Sequence, residues 1–448
     1  MAKKSAIRYE CTNCGAQSFT WSGKCPQCGE WNTMQEKLTP ETALASVSSG
    51  KVLQAERVEI SAKRDMPRLI SGVNEIDSIF GGGIVPGSVN LIAGQPGIGK
   101  STLLLQLAYE IAKTAPVLYI SGEESTYQVG IRAQRLGALR PELQLVNSTS
   151  AEDIAATIAS SAYQLVIVDS IQTITVGSIA SAAGTVSQIT NSTQLLTIAA
   201  KHSNTATILV GHVTKEGSIA GPKVLEHVVD VVLQLEGDRY GGFKVLRAVK
   251  NRFGTTSEAG IFEMVDSGLR PVDNPSAALL AERQISDGSV VLATMEGSRP
   301  LLVEVQALVN KTSYGYPKRA ASGLDLNRLN LLIAMLERRT KLTLAEFDIY
   351  INIVGGLRIT EPAADLAVCM AIASAAKGLQ LKQNAVVFGE VGLSGEVRHV
   401  PFTEKRILEA TKLGFTTAIG PKQRKGKTVK NLTSVSNIRS ALNQFLEM

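Results

Sequence analysis

Residues Gly94-Gln95-Pro96-Gly97-Ile98-Gly99-Lys100-Ser101 follow the pattern G-x-x-x-x-G-K-[ST]. This pattern cradles phosphate. Its glycines let successive backbone N–H groups converge on the oxygens, and the helix it opens points a positive end at the anion. Lys100 is expected to reach the β- and γ-phosphates of ATP, and the Ser101 hydroxyl to hold Mg²⁺. Thr102 completes the expected nucleotide- and Mg²⁺-binding set. A second chemistry lies near the N-terminus, in Cys11-x-x-Cys14 and Cys25-x-x-Cys28. Four thiolates satisfy tetrahedral Zn²⁺. Gly15 and Gly29, one after each pair, permit the tight turn that aims two sulfurs at one ion. The gap between the pairs is shorter than in the commonest zinc pattern, and compact ribbons or knuckles accommodate it. Disulfides are the alternative, and a reducing compartment disfavours them. Cys369, within the apolar run Ala367–Ala371, reads as a core thiol.

Other residues fit nucleotide hydrolysis. Leu165–Asp169 is an apolar stretch ending in an acid, the arrangement by which a buried strand delivers a carboxylate to the Mg²⁺ shell beside a P-loop. Val117–Ser121 is followed by Gly122, Glu123 and Glu124. If its strand lies next to the P-loop strand, Glu123 faces the γ-phosphate as general base. Glu124 is held in reserve, since an acid at a helix start is also favoured by the dipole alone. His212 ends the apolar run from Thr207, at the strand edge where α/β sheets bind ligands. It is a candidate γ-phosphate sensor or simply a polar terminus. Lys250 and Arg252 in Lys250-Asn251-Arg252-Phe253-Gly254 are two cations on one side of a strand end. They suit charge stabilisation on a phosphoryl group as well as a solvated strand end.

The elements that must position these groups alternate. Strand-like runs at Val89–Ala93, Val117–Ser121, Leu165–Asp169, Thr207–Gly211 and Val229–Leu235 are separated by helical patterns, which predicts a largely parallel α/β sheet. The expected organisation is a zinc module over 1–33, a linker over 34–62, the ATPase domain over 63–270 and a C-terminal α+β domain over 271–448. Strands are predicted there at Val290–Thr294, Leu301–Leu308 and Ala385–Phe388, and helices at Leu324–Arg338, Ala363–Ala376 and Thr403–Leu413. The 448 residues, 44% hydrophobic and 19% charged, have globular composition. No run approaches the ~18 apolar residues that cross a bilayer, and no secretory signal is visible, so no membrane role and a cytoplasmic location are expected. The net charge of +6 permits a polyanionic partner without requiring one.

Taken together, the four cysteines, Gly81–Ser88 leading into the P-loop, Glu123, Asp169 and Lys250–Gly254 resemble the RadA (Sms) family of bacterial DNA-repair and recombination proteins over nearly the whole chain. The resemblance implies a RecA-like ATPase core, a hexameric ring, ATP-driven movement on single-stranded DNA and branch migration of recombination intermediates, alongside a recombinase (RecA) partner. It also implies that Lys250 and Arg252 act on a neighbouring subunit's nucleotide. In RecA-like proteins, loops matching Val176–Thr185 and Lys215–Lys223 line the DNA channel. Glycine and serine allow close backbone approach there, and Lys215 and Lys223 supply charge. An ordinary mobile loop is the plain alternative. The C-terminal region resembles the proteolytic domain of Lon proteases, with Ala363 at the nucleophilic serine and Glu404 at the catalytic lysine. Lys405 lies one residue from that register. Alanine has no nucleophilic oxygen, so no peptidase activity is expected, and the domain reads as an assembly platform with a basic surface at Lys318, Arg319, Lys422, Arg424, Lys425 and Lys427. A RecA-like regulatory ATPase acting on a protein partner is the competing reading.

Overall fold

A computed structural model describes residues 8–37, 67–212, 222–237, 243–313, 315–381, 384–423 and 429–446. The chain divides into two compact units, Met1–Asp65 and Met66–Met448.

In the first unit, strand Arg8–Cys11 pairs antiparallel with Gln17–Ser18 on one side and Met34–Lys37 on the other. The turns after the two cysteine pairs close as their glycines require. Gly15 N donates to Cys11 O and Gly29 N to Cys25 O, with φ of 74° and 75°. Met34, expected to open a linker, is buried against Cys11 and Cys25 instead, and its strand extends the module through Lys37. Two cysteines alone give so small a module almost no apolar interior, and Met34 supplies the rest.

The second unit holds a nine-stranded and a seven-stranded sheet. In spatial order the first runs Gly268–Pro271, Ala259–Val265, Phe243–Asn251, Val231–Gly237, Val89–Gly94, Ala206–His212, Leu165–Asp169, Val117–Ser121 and Leu143–Asn147. The strands from Val231 to Leu143 in that order are parallel, and the first three add antiparallel pairs. The fold is a RecA-like P-loop core with a mostly parallel sheet. Apolar runs become central strands because both faces are covered. Alternate residues serve alternate cores: Val117, Tyr119, Leu165 and Ile167 face the P-loop helix side, whereas Leu118, Ile120, Val166 and Val168 face the helices Ala151–Ala159 and Val186–Ser203.

The strand Val117–Ser121 is not beside the P-loop strand Val89–Gly94, contrary to expectation. Ala206–His212 and Leu165–Asp169 lie between them. These two strands are almost wholly buried and take central places, while Leu143–Asn147, with mixed exposure, takes the edge.

The seven-stranded sheet has the order Arg319–Ser322, Phe347–Ile353, Arg299–Lys311, Ser289–Glu296, Ala385–Val387, Thr417–Pro421 and Leu432–Val435. Helix Asp365–Lys377, buried for most of its length and carrying the buried thiol Cys369, packs on its central strands. No gap separates the two sheets at Pro271. Strands Phe243–Asn251 and Ala259–Val265 give Leu246 and Phe262 to the ATPase core, and Val245 and Ile261 to the core of the second sheet. Arg247 extends the junction, donating to Glu236 at 2.7 Å and to Glu296 at 2.5 Å. Among the described residues, no helix is long and apolar enough to cross a membrane.

Candidate active site

The P-loop runs from the end of strand Val89–Gly94 into helix Lys100–Ile111. Gly99 caps that helix in the left-handed region at φ 113°, a conformation side chains resist. Gly97, Gly99, Lys100, Ser101 and Thr102 line a cleft of about 350 Å³, together with Pro96, Glu123, Asp169 and His212. The remaining loop residues serve the loop itself. Ile98 is buried in the core, and the carbonyls of Gly94 and Gln95 accept from Lys100 Nζ at 2.8 and 3.0 Å. Lys100 also donates to His212 Nδ1 at 3.1 Å. Burial holds its pKa down to about 8, against the opposing pull of Asp169 and Glu123.

Strands Ala206–His212, Leu165–Asp169 and Val117–Ser121 end on the same edge, so their terminal residues meet. Lysine can only donate, so His212 Nδ1 accepts and its proton sits on Nε2, which lies 3.5 Å from Glu123 Oε1. Ser170 Oγ donates to the same Glu123 oxygen at 2.5 Å. Glu124 is engaged elsewhere, with Arg132 at 2.6 Å, although it also lines the cleft. Asp169 Oδ2 accepts from the buried Tyr119 hydroxyl at 2.5 Å, and Tyr119 also interacts with Ser101. Ser101 and Asp169 thus offer hard oxygen donors at one end of the cleft, which suits Mg²⁺.

Lys250 and Arg252 do not line this cleft. Lys250 Nζ donates to Glu226 O at 2.5 Å and Val229 O at 2.7 Å, and Arg252 pairs with Asp230 at 2.9 Å. The segment Val176–Thr185, expected to be flexible, is pinned. Buried Gln188 accepts from Val176 N and donates to the carbonyls of Val176, Ile179 and Ser181. Small residues leave the backbone polar groups free, and one buried amide satisfies several of them. Lys215 lies outside the described residues. Lys223 falls in the one-turn helix Pro222–Leu225, and its side chain lies outside them.

In the first unit, Cys11 Sγ lies 3.6 Å from Cys28 Sγ and Cys14 Sγ 3.7 Å from Cys25 Sγ, with all four sulfurs within 4.8 Å of one another. A tetrahedron with ~2.3 Å Zn–S bonds has sulfurs about 3.8 Å apart. The four cysteines therefore fit Zn²⁺.

Residues 54–218 match the AAA domain family model, residues 9–36 the rubredoxin metal binding domain and residues 333–424 subunit ChlI of Mg-chelatase. The chain is 46% identical to the DNA repair protein RadA of Halalkalibacterium halodurans, over 99% of both chains. It is 47% identical to the proteins of the same name from Pseudomonas aeruginosa, over 94% of both chains, and Bacillus subtilis, over 93% of both. The chain belongs to the RadA family. A solved RadB recombinase overlays at TM-score 0.36 and 23% identity, covering 46% of this chain and all of that one. The AAA domain match and the RadA relatives make this chain a RecA-like ATPase, and the four cysteines belong to a zinc ribbon.

In the C-terminal domain, the two positions expected at a Lon-type dyad are Ala363 and Glu404. Ala363 is buried in the short helix Pro362–Ala364. Fully buried Arg406 pairs with both carboxylate oxygens of Glu361, two residues before Ala363, and donates to Ala293 O at 2.7 Å. Glu361 Oε2 also accepts from Thr294 Oγ1 and Met295 N. Of the expected basic surface, Arg319 instead donates to the carbonyls of Lys318, Leu344 and Phe347, because the strand beside it leaves these acceptors in reach. Arg424, Lys425 and Lys427 lie outside the described residues. Ser170, Tyr119, Arg132 and Gln188 were missed by the sequence reading. Only Ser170 carried a signal, its place directly after Asp169.

Proposed function

We propose that this chain is a DNA-dependent ATPase of recombination and repair that moves on single-stranded DNA and drives branch migration. The observation that carries the hydrolytic part is the convergence of Lys100, Asp169, Glu123 and His212 on one cleft. Lys100 swings from the loop carbonyls to the β- and γ-phosphates of ATP. Ser101 and Asp169 hold Mg²⁺, which neutralises charge on the β- and γ-oxygens when bound. Glu123, oriented by Ser170 and His212, accepts a proton from water. The water oxygen bonds to the γ-phosphorus as its bond to the ADP oxygen breaks, releasing ADP and phosphate. His212 touches both Lys100 and Glu123, which suits it to register whether the γ-phosphate is present.

The DNA part rests on the relatives, named as DNA repair proteins, and on the position of His212 immediately before the segment that holds Lys215. Lys250 and Arg252 are assigned to a neighbouring subunit's nucleotide in a hexameric ring, a reading supported by their position away from the chain's own cleft. Peptide hydrolysis is not assigned. Ala363 lacks a nucleophile, and Glu361, two residues before it, is paired with Arg406. A recombinase partner and a cytoplasmic location complete the reading.

The test is ATP turnover by purified protein with and without single-stranded DNA at low salt, with native mass measured alongside. Stimulation by DNA is expected, and none under any salt condition overturns the DNA assignment. ATP-dependent casein degradation would overturn the exclusion of protease activity.

A further inference from the structure

Both tryptophans of the chain, Trp21 and Trp31, lie in the zinc ribbon and stand 63% and 68% exposed. The ribbon's interior is cysteine and Met34, so neither ring serves its core. The rings share one face. A Cβ at Gly23 would lie 3.7 Å from Trp31 Cζ3 and 3.9 Å from Trp21 Cη2, and glycine keeps the floor between them low. The platform is braced. Ser18 Oγ donates to Thr20 O and Ser22 Oγ to Lys24 O, while Asn32 N donates to Gly23 O and ties the residue after Trp31 to the Trp21 loop. Lys24 Nζ sits 5.7 Å from the Trp31 ring centroid. From Gly15 through Gly29 the chain carries this lysine and no acidic residue.

We propose that Trp21 and Trp31 form a base-stacking platform for single-stranded DNA, with Lys24 on the backbone phosphates. The proposal rests on the DNA-dependent reading above and gives it a stacking contact that the two segments assigned to the DNA channel cannot supply. The segments Val176–Thr185 and Lys215–Lys223 contain no aromatic residue, so they can meet phosphates but not stack on bases. A braced aromatic pair loses little freedom on binding. Lys24 at its rim complements a polyanion, while exposed Glu30 next to Trp31 opposes it. A protein-docking patch is the competing use of such a surface, and it appears as an outcome of the test.

Because both tryptophans are in the ribbon, tryptophan emission excited selectively, at a wavelength tyrosine does not absorb, reports this face alone. Oligo-dT is titrated at low salt while anisotropy of a labelled oligo-dT reports total binding. Oligo-dT is expected to quench the tryptophans in step with the anisotropy rise. Trp21→Ala/Trp31→Ala is expected to weaken binding about 5- to 100-fold while retaining zinc and basal ATP turnover, and Trp21→Phe/Trp31→Phe to restore much of the affinity. Unchanged fluorescence during binding, or wild-type affinity in the alanine variant, overturns the platform and leaves the face to protein docking. DNA-stimulated turnover that persists in that case shows that only the platform has failed. Loss of stimulation in the wild-type protein would instead remove the DNA-dependent reading itself.

Discussion

Burial in the cleft weakens the hold of Lys100 on its proton. Burial lowers its pKa to about 8, whereas a bound triphosphate favours the ammonium form. Below that pH the free site already carries the proton. Above it, binding must take one up, so ATP affinity is expected to fall by up to about tenfold per pH unit as pH rises beyond 8. Binding of a fluorescent ATP analogue from pH 7 to 9.5 measures this, and a flat profile contradicts it. Glu123→Gln keeps the shape and removes the base. We expect retained ATP binding with kcat lowered by about 10²–10⁴-fold. Ser170→Ala frees one carboxylate oxygen of Glu123 and is expected to lower kcat about tenfold, through loss of a charged hydrogen bond, with ATP affinity unchanged. Single-turnover kinetics separate binding from chemistry in both variants.

At the scale of elements, the Lys250–Gly254 loop is held by a close backbone approach. A Cβ on Gly254 would lie 2.9 Å from Gly81 Cα, and Arg68 bridges Gly81 O and Phe253 O at 2.7 and 3.1 Å. Gly254→Ala must therefore displace the loop that presents Arg252. We expect turnover to fall about 10- to 100-fold with ATP binding intact, and wild-type turnover would show that the loop's placement does not matter. Arg252→Ala should behave alike, and mixing it with wild-type protein should depress the wild-type rate if the guanidinium serves a neighbour. In the C-terminal domain, Arg406→Met leaves the partly buried Glu361 without its cation. A loss of about 3–5 kcal/mol is expected in denaturant unfolding, partly restored by adding Glu361→Gln.

Across the whole molecule, the two sheets of residues 66–448 share strands that face both cores. The ATPase and C-terminal parts should therefore unfold together, without a separate transition for either. The zinc ribbon is a unit of its own, and its three-stranded sheet encloses little besides cysteine and Met34. Strong chelation is expected to remove one zinc per chain and unfold residues 8–37, changing tryptophan emission while the near-ultraviolet signal of the larger unit persists.

The sequence alone fixed the groups whose chemistry is local. A P-loop is a run of consecutive backbone amides, and each zinc knuckle is one turn, so Gly94–Ser101 and the paired cysteines announce themselves through spacing. Central strands such as Leu165–Asp169 were equally legible, because burial on both faces demands unbroken apolar runs. The tertiary structure decided what depends on strands distant in the chain. It placed Ala206–His212 and Leu165–Asp169 between the P-loop strand and Val117–Ser121, joined His212 to Lys100 and Glu123, and paired Arg406 with Glu361. Those contacts follow from which buried surfaces pack best, and no periodicity within a single segment records that competition.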